Sequence, residues 1–187
     1  MTAAVVLAAG ASTRLGEPKQ LVTIAGETLL ERAVRTAREA GCDPVVVVLG
    51  ADAERIQIQC NLSDAVVAIN DEWSEGMAAS IRVGVRTLGA VAKNAGGVVL
   101  MTCDQPAVTA AHLRALMKTG EAMASHYAGR NGVPAYLPTA AFAQLMELRG
   151  GSGARDLLAG ARCVELADGE LDVDTAEDLA QARELFG

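Results

Sequence analysis

The feature that most constrains this chain is a short apolar segment that leads directly into a loop bounded by glycines. Residues 5–8 form an uninterrupted apolar run typical of a buried strand, and Gly10 and Gly16 bound the loop that follows. Small residues let backbone N–H groups approach a ligand closely and form a concavity that binds anions. Arg14 and Lys19 add two positive charges beside it. A loop of this kind at the carboxyl end of a strand is suited to hold a polyphosphate.

Two familiar phosphate-binding loops do not fit this segment. The dinucleotide pattern G-x-G-x-x-G, started at Gly10, requires glycines where the chain has Ser12 and Leu15. The pattern G-x-x-x-x-G-K-[ST] requires a glycine at Leu15, and Gly16 is followed by Glu17 rather than lysine. A different type of phosphate loop and an ordinary strand-to-loop turn with two solvated cations remain as the alternatives.

The whole chain has the length and composition of one globular domain, which we place over residues 1–187. Its four cysteines are widely spaced without a C-x-x-C pair, which argues against a zinc site or a disulfide framework and favours a reducing cytoplasm. The formal net charge of −7 argues against nonspecific nucleic-acid binding. No uncharged apolar stretch reaches the roughly 18 residues that a membrane-spanning helix requires. We therefore expect a cytoplasmic protein with neither nucleic-acid nor membrane partners.

Strand and helix patterns alternate along most of the chain. Apolar residues three and four apart predict an amphipathic helix over residues 29–40, and the apolar run at 44–49 predicts a strand buried on both faces. Further strands are predicted over 65–69, 97–101 and near 163–166, and further helices over 52–60, 77–88, 109–119, near 139–148 and from Ala176. Short polar and apolar pieces at 127–138 indicate an antiparallel or edge addition. This order predicts a three-layer α/β fold with a mostly parallel central sheet, whose ligands lie beyond the carboxyl ends of the strands.

Two acidic positions are candidates for binding a cation. Asp104 follows the strand predicted at 97–101, where its carboxylate could reach a Mg²⁺ ion that bridges nucleotide phosphates. A turn or N-cap aspartate before Pro106 is the alternative. Thr175 and Asp178 form a capping-box pattern, which accounts for those two residues better than for Asp174. We therefore predict Asp104 and Asp174 as metal ligands, with Asp172 as the substitute for Asp174.

The first loop matches the L-A-A-G-x-S-x-R-x-G-x-x-K signature of sugar-nucleotide-type nucleotidyltransferases at every specified position. The chain resembles the MobA/MocA-type NTP transferases, and most closely the molybdenum-cofactor cytidylyltransferases. Residues 70–82 match the N-x-x-W-x-x-G-M-x-x-S-I-R pattern of that family, and the similarity continues at 104–106, 151–158 and 172–175.

The resemblance implies a Rossmann-like nucleotidyltransferase fold and a set of site residues. It implies a nucleotide-binding part over residues 1–125 and an acceptor-side part over residues 126–187 that carries the second metal carboxylate. The catalytic residues would be Arg14, Lys19 and Asp104. The nucleotide-binding residues would be Leu7, Ala8, Ala9, Gly10, Ser12, Arg14, Lys19, Asn70, Gly76, Ser80 and Asp104. Trp73 could equally line this site or pack in the core.

The resemblance also implies the reaction: Mg²⁺-dependent transfer of CMP from CTP to the terminal phosphate of the molybdenum cofactor, with release of pyrophosphate. Ala9 favours CTP, because relatives that transfer GMP usually carry Leu-Ala-Gly-Gly in this loop. The partners would be CTP or another NTP, a phosphorylated pterin acceptor, and a molybdoenzyme or its maturation chaperone. The chain departs from the family at Val133, where Gly-Asn-Pro is usual, and so lacks an amide facing the acceptor.

Two other functions remain open from the sequence. One is a cytidylyltransferase for another phosphorylated small molecule, such as methylerythritol phosphate, because that group shares the triplet at 18–20. The other is a noncatalytic nucleotide-binding protein that delivers a cofactor. Such a protein would keep the loop without a complete pair of metal ligands.

Overall fold

The structure is a computed structural model that describes residues 1–151 and 153–187. Its strands are β1 (Thr2–Ala8), β2 (Thr23–Ile24), β3 (Glu27–Thr28), β4 (Val45–Leu49), β5 (Val66–Ile69), β6 (Gly97–Thr102), β7 (Met123–Tyr127), β8 (Arg130–Pro138) and β9 (Arg162–Glu165). Its helices are α1 (Leu29–Glu39), α2 (Ala53–Gln59), α3 (Met77–Val91), α4 (Ala110–Met117), α5 (Phe142–Glu147), α6 (Arg155–Leu158) and α7 (Ala176–Phe186). Short 3-10 helices occur at Lys19–Leu21, Trp73–Glu75 and Thr139–Ala141.

The main sheet contains seven strands in the order β5-β4-β1-β6-β8-β7-β9. Strand β1 lies in its interior and pairs in parallel with β4 on one side and β6 on the other. Strand β8 runs antiparallel to both of its neighbours, and the other six strands share one direction. The prediction of an α/β fold with a mostly parallel sheet is confirmed.

Helices cover both faces of this sheet because β1 is apolar on both sides. Its residues 4, 6 and 8 pack in one cluster with α1 and α4, and residues 3, 5 and 7 pack in a second cluster with α3 and α5. Gly84 lets α3 approach the sheet closely, because a Cβ atom there would lie 2.5 Å from Cγ1 of Val5. The carboxyl ends of β1 and β6, which carry the predicted phosphate loop and Asp104, therefore meet at one edge of a three-layer structure.

The region around β7 and β8 corrects part of the sequence prediction. The antiparallel alternative for residues 127–138 is right, but the edge position is wrong, because β8 lies between β6 and β7 inside the sheet. Strand β7 was not predicted. Its Ser125 is fully buried although polar, since its hydroxyl donates to the Pro134 carbonyl at 2.6 Å and also contacts His112 Nε2 at 2.7 Å. These long-range hydrogen bonds stabilise a polar strand that has no clear alternating pattern.

The last segment of the chain returns to the phosphate loop. Leu171, Val173 and Leu179 form a third apolar cluster with Val22, Ile24 and Leu29. The Val173 amide donates to the Asp104 carbonyl at 2.9 Å. The chain therefore brings Asp172 and Asp174, on either side of Val173, to the end of β6.

Two further observations concern the cysteines and the length of the helices. All four cysteines are free thiols. Within residues 1–151 and 153–187, no helix is long and apolar enough to cross a membrane.

Candidate active site

Ser12 organises the loop that follows β1. It adopts a φ of +52°, in the left-handed region that side chains rarely occupy, and its carbonyl accepts hydrogen bonds from the amides of Leu15 and Gly16. Its hydroxyl accepts from the Lys19 amide at 3.0 Å. Ser12 thus ties the two ends of the loop together, and it does not line either of the cavities described below.

Gln20 holds the same loop against the end of β1, a role that the sequence reasoning missed. Its side chain is completely buried, and its Nε2 atom donates to the carbonyls of Ala8 at 2.7 Å and Gly10 at 3.1 Å. The two carbonyls lie on either side of Ala9, so one amide group fixes the backbone where the strand becomes the loop. A neutral polar residue directly after Lys19 was the signal available in the sequence.

Lys19 joins the two predicted metal ligands. Its Nζ atom lies 2.5 Å from Oδ2 of Asp104 and 2.8 Å from Oδ1 of Asp174, and Arg14 Nη2 lies 2.7 Å from the other oxygen of Asp174. Burial of Lys19 disfavours its charged form, but the charge of Asp104 and the hydrogen bonds to both carboxylates outweigh burial and raise its pKa above the ordinary value. Lys19 is therefore a fixed cation at the centre of the site.

Asp172 adds a third carboxyl group at this edge of the sheet. Its Oδ1 atom is buried without a hydrogen-bond partner among the described residues. Burial, together with the charges of Asp104 and Asp174, raises its pKa to about 7, against the opposing effect of Lys19 and Arg130. Asp172 thus faces the same space as the two predicted ligands without an ion pair of its own.

The residues present fit a divalent cation. Oδ1 of Asp104 and Oδ1 of Asp172 are buried without hydrogen-bond partners among the described residues, and carboxylate oxygens are the donors that Mg²⁺ prefers. Within the described ranges, no three His, Cys, Asp or Glu side chains form a ready-made metal site. A cation here would therefore take two carboxylates from the protein and its remaining ligands from substrate and water.

A cavity of about 220 Å³ opens beside the loop and contains most of the predicted nucleotide-binding residues. Those lining it are Leu7, Ala8, Ala9, Gly10, Lys19, Gly76, Ser80 and Asp104. Asn70 does not line it: it is 2% exposed, and its Nδ2 donates to the Ser80 hydroxyl oxygen at 3.0 Å. The structure thus places Asn70 behind Ser80. We name this space the donor cavity.

Trp73 forms part of the wall of the donor cavity. It packs over Gly50, where an added Cβ atom would lie 2.5 Å from the Trp73 Cβ and 2.9 Å from the Ala9 Cβ. Gly50 therefore has to be small so that Trp73 and Ala9 can meet over it. Trp73 remains 37% exposed, so it lines the site rather than filling the core.

We call Lys19, Asp104 and Asp174 the charge centre. A second cavity of about 380 Å³ is lined by all three of these residues, and we name it the acceptor cavity. Arg14, Asp172 and Asp174 line it together with residues of the chain's last third, including Arg130, Val133 and Arg155. The two cavities share Lys19, Met77, Thr102 and Asp104. A molecule in one cavity and a molecule in the other would therefore meet at Lys19 and Asp104.

Comparisons with known proteins identify a family. Residues 4–168 match the family described as "MobA-like NTP transferase domain". The chain is 31% identical to purine catabolism protein PucB of Bacillus subtilis, over 96% of this chain and 94% of that protein. It is 34% identical to a probable molybdenum cofactor guanylyltransferase of Opitutus terrae, over 75% of this chain and 68% of that protein. Asp172 and Asp174 lie beyond the matched family region.

One further relative is matched only in part. The chain is 36% identical to nicotine blue oxidoreductase of Paenarthrobacter nicotinovorans over 71% of this chain, and the match spans 60% of that relative.

Solved structures resemble the whole chain. The crystal structure of Rv0371c from Mycobacterium tuberculosis has a TM-score of 0.85 and 34% identity, and covers 98% of this chain and 97% of that one. A structure of the same protein in complex with manganese has a TM-score of 0.79 and 33% identity, and covers 98% of each chain.

Proposed function

Because the chain belongs to the MobA-like NTP transferase family, we propose that it transfers CMP from CTP to the terminal phosphate of a phosphorylated pterin. Membership makes it a nucleotidyltransferase. The choice of CTP, of the pterin acceptor and of Mg²⁺ is our proposal. The product would pass to a molybdoenzyme or its maturation chaperone.

One observation carries the proposal: the donor and acceptor cavities meet at Lys19 and Asp104. Nucleotidyl transfer requires two phosphorylated substrates to be held end to end, with positive charge where their phosphates touch. Lys19 supplies that charge, and its two carboxylate partners hold it in place. Both predicted metal ligands, Asp104 and Asp174, lie beside Lys19. Their presence favours an enzyme over a protein that only binds and delivers a nucleotide.

In the proposed reaction, an oxygen of the acceptor phosphate forms a bond to the α-phosphorus of CTP. The bond from that phosphorus to the bridging oxygen breaks, and pyrophosphate leaves with the electron pair. The attacking phosphate is already anionic, so the reaction needs no general base. Lys19 would stabilise the charge that develops at the α-phosphate, and the loop amides would hold the β- and γ-phosphates. Arg14 lines the acceptor cavity and would contact these phosphates from that side. Catalysis would thus consist of positioning and charge neutralisation.

Asp104 and Asp174 would hold Mg²⁺, which when bound supplies further positive charge to the phosphates. Asp172 is the alternative to Asp174, because its buried Oδ1 atom has no hydrogen-bond partner among the described residues, whereas both oxygens of Asp174 pair with Lys19 and Arg14.

The proposal of CTP as donor rests on the walls of the donor cavity. Ala9 and Trp73 both line this cavity. Relatives that transfer GMP usually carry glycine at the position of Ala9, so the methyl group of Ala9 favours cytosine over guanine. The relative from Opitutus terrae is named a guanylyltransferase, so the base has to be tested directly.

The test is pyrophosphate release from each of the four NTPs, with Mg²⁺, in the presence and absence of molybdenum cofactor. We expect release that requires the cofactor and is fastest with CTP. Release with methylerythritol phosphate in place of the pterin would assign the enzyme to that acceptor. Pyrophosphate release with GTP but not with CTP would show that the proposed nucleotide is wrong.

Lys19→Ala tests the mechanism in the same assay. We expect kcat to fall by about 10²-fold or more, because a preorganised charge at the transition state is lost. Lys93→Ala is the matched control, since Lys93 is an exposed lysine that lines neither cavity. A Lys19→Ala protein that is folded and turns over at the unsubstituted rate would contradict the role assigned to Lys19.

A further inference from the structure

Two arginines of the acceptor cavity stand apart from the ion pairs of the site. Lys19 and Arg14 are held by Asp104 and Asp174. Arg130 and Arg155 also line the acceptor cavity, and among the described residues neither one pairs with a carboxylate. Other lysines and arginines in the described ranges also lack such a pair, so what distinguishes Arg130 and Arg155 is that both line the cavity that Lys19 and Arg14 line.

The same two arginines line a second space. A cavity of about 300 Å³, which we name the outer cavity, is lined by Arg130, Asn131 and Arg155 together with His126. Arg130, Asn131 and Arg155 are therefore common to the acceptor cavity and the outer cavity. A molecule that entered the acceptor cavity with one end at Lys19 would pass these arginines at its other end.

Asn131 brings the two arginines to the same wall. Its Nδ2 atom donates to the carbonyls of Leu158 at 2.9 Å and Ala161 at 3.0 Å, which ties the start of β8 to the end of α6. Arg130 precedes Asn131, and Arg155 is the first residue of α6. The guanidinium carbon of Arg130 also lies 6.0 Å from the centre of the Tyr127 ring, a favourable cation–π position. The chain thus holds both arginines where they face one ligand.

We propose that the acceptor carries a second anionic group, far from its reacting phosphate, and that Arg130 and Arg155 bind it. This inference rests on the proposed function, because it concerns the acceptor of that reaction. Guanidinium groups bind oxyanions with paired, charge-assisted hydrogen bonds. The ligand class is therefore an elongated molecule with a phosphate at one end and a phosphate, carboxylate or other oxyanion at the other. A neutral outer end would make no charge-assisted contact with either guanidinium group.

Two matched probes test this without knowledge of the natural acceptor. Hexane-1,6-diol bisphosphate carries an oxyanion at both ends, and hexyl phosphate carries one. Each is titrated by calorimetry into the full chain with Mg²⁺, after an α,β-methylene analogue of CTP has filled the donor cavity. We expect the bisphosphate to bind the unsubstituted protein about tenfold more tightly or better, since a charge-assisted contact contributes roughly that factor.

The variants assign that preference to the two arginines. The Arg130→Ala/Arg155→Ala double variant is expected to bind the bisphosphate no more tightly than hexyl phosphate, whose affinity should not change. The Arg130→Lys/Arg155→Lys variant should keep part of the preference because the charge remains. Arg86→Ala, at an exposed arginine of α3 that lines neither the acceptor nor the outer cavity, should behave as the unsubstituted protein. Both arginines are exposed, so the variants should fold, and thermal unfolding checks this.

Two results would overturn the proposal: equal affinity of the unsubstituted protein for both probes, or a preference that survives in the double alanine variant. Failure of the proposed function looks different. In that case no acceptor supports pyrophosphate release, whereas the preference for the bisphosphate and its loss in the double variant are still measured.

Discussion

At the scale of single residues, the charge centre depends on side chains that are distant along the chain. Lys19 contacts Asp104 and Asp174, which lie 85 and 155 residues away in sequence. Lys19 follows the first loop, Asp104 follows the end of a strand, and Asp174 precedes the start of a helix. Each of these features can be predicted from the sequence. Only the fold brings these three charged residues into contact.

Gln20→Leu is the residue-scale prediction for the phosphate loop. The substitution removes two hydrogen bonds from a buried side chain and leaves the carbonyls of Ala8 and Gly10 without their partner, so we expect a loss of about 1–3 kcal/mol in the free energy of unfolding. The Michaelis constant for the NTP should rise as well, because the loop loses its support. Urea unfolding and steady-state kinetics measure the two effects.

Gln57→Leu provides the matched control for that substitution. Gln57 also donates to a backbone carbonyl, that of Ala53, but on the exposed side of α2. We expect its unfolding free energy to change by less than about 0.5 kcal/mol. Equal effects at the two positions would show that Gln20 does not support the loop in the way its contacts indicate.

At the scale of elements, α1 and α7 begin at capping boxes that can be recognised in the sequence. In α1, the Thr28 hydroxyl accepts from the Glu31 amide at 3.2 Å, and the Glu31 carboxylate accepts from the Thr28 amide at 3.2 Å, which completes a capping box. Thr175 and Asp178 form the same box at the start of α7. Because such a cap involves residues only three apart, these boundaries can be predicted from the sequence.

The cap of α1 predicts a pH dependence of stability. Burial acts to raise the pKa of Glu31, but hydrogen bonds from Thr28 and Asn61 outweigh it and lower the pKa below 4.5. A lowered pKa in the folded state means that the stabilisation is complete above pH 4.5 and is lost as the pH falls through the folded value. Glu31→Ala should therefore cost about 1 kcal/mol at pH 7 and less at pH 3.

Urea unfolding at the two pH values checks this prediction. Glu54→Ala serves as the control, because Glu54 is exposed in the first turn of α2 and makes no side-chain hydrogen bond among the described residues. A Glu31→Ala cost that is the same at pH 3 and pH 7 would contradict the stated role of the carboxylate.

At the scale of the whole molecule, the C-terminal segment closes the structure onto its beginning. The apolar cluster of Leu171, Val173 and Leu179 with Val22 and Ile24 holds this segment near the end of β6. Asp172 and Asp174 depend on that packing for their position in the acceptor cavity. Stability of the cluster and assembly of the site are therefore coupled.

Leu179→Ala tests this coupling. Leu179 is 7% exposed, so its truncation should lower the free energy of unfolding by about 2–3 kcal/mol. We also expect slower nucleotide transfer at temperatures where the variant is folded, because Asp174 is held less firmly. Ile58→Ala, at a residue that is 84% exposed, should change stability by less than about 0.5 kcal/mol. Unchanged unfolding by urea in the Leu179→Ala protein would contradict the packing role of the cluster.

Much of the architecture could be predicted from the sequence because it depends on local patterns. The starts of α1, α3 and α7 and the strands β4 and β6 were predicted closely, since helix periodicity, caps and uninterrupted apolar runs act over a few residues. The interior position of β8 could not be predicted in this way, because it depends on partners in β6 and β7 rather than on its own pattern.

For the site, the sequence alone was enough to predict candidate residues: the loop around Gly10, the cation Lys19, and the acidic residues that end one strand and precede one helix. Only the tertiary structure decided their contacts. It placed Lys19 between two carboxylates, Asn70 behind Ser80, and Gln20 under the loop. The physical reason is range: a motif is defined by neighbours in sequence, whereas the position of a side chain in a site is set by packing and hydrogen bonds between segments far apart in the chain.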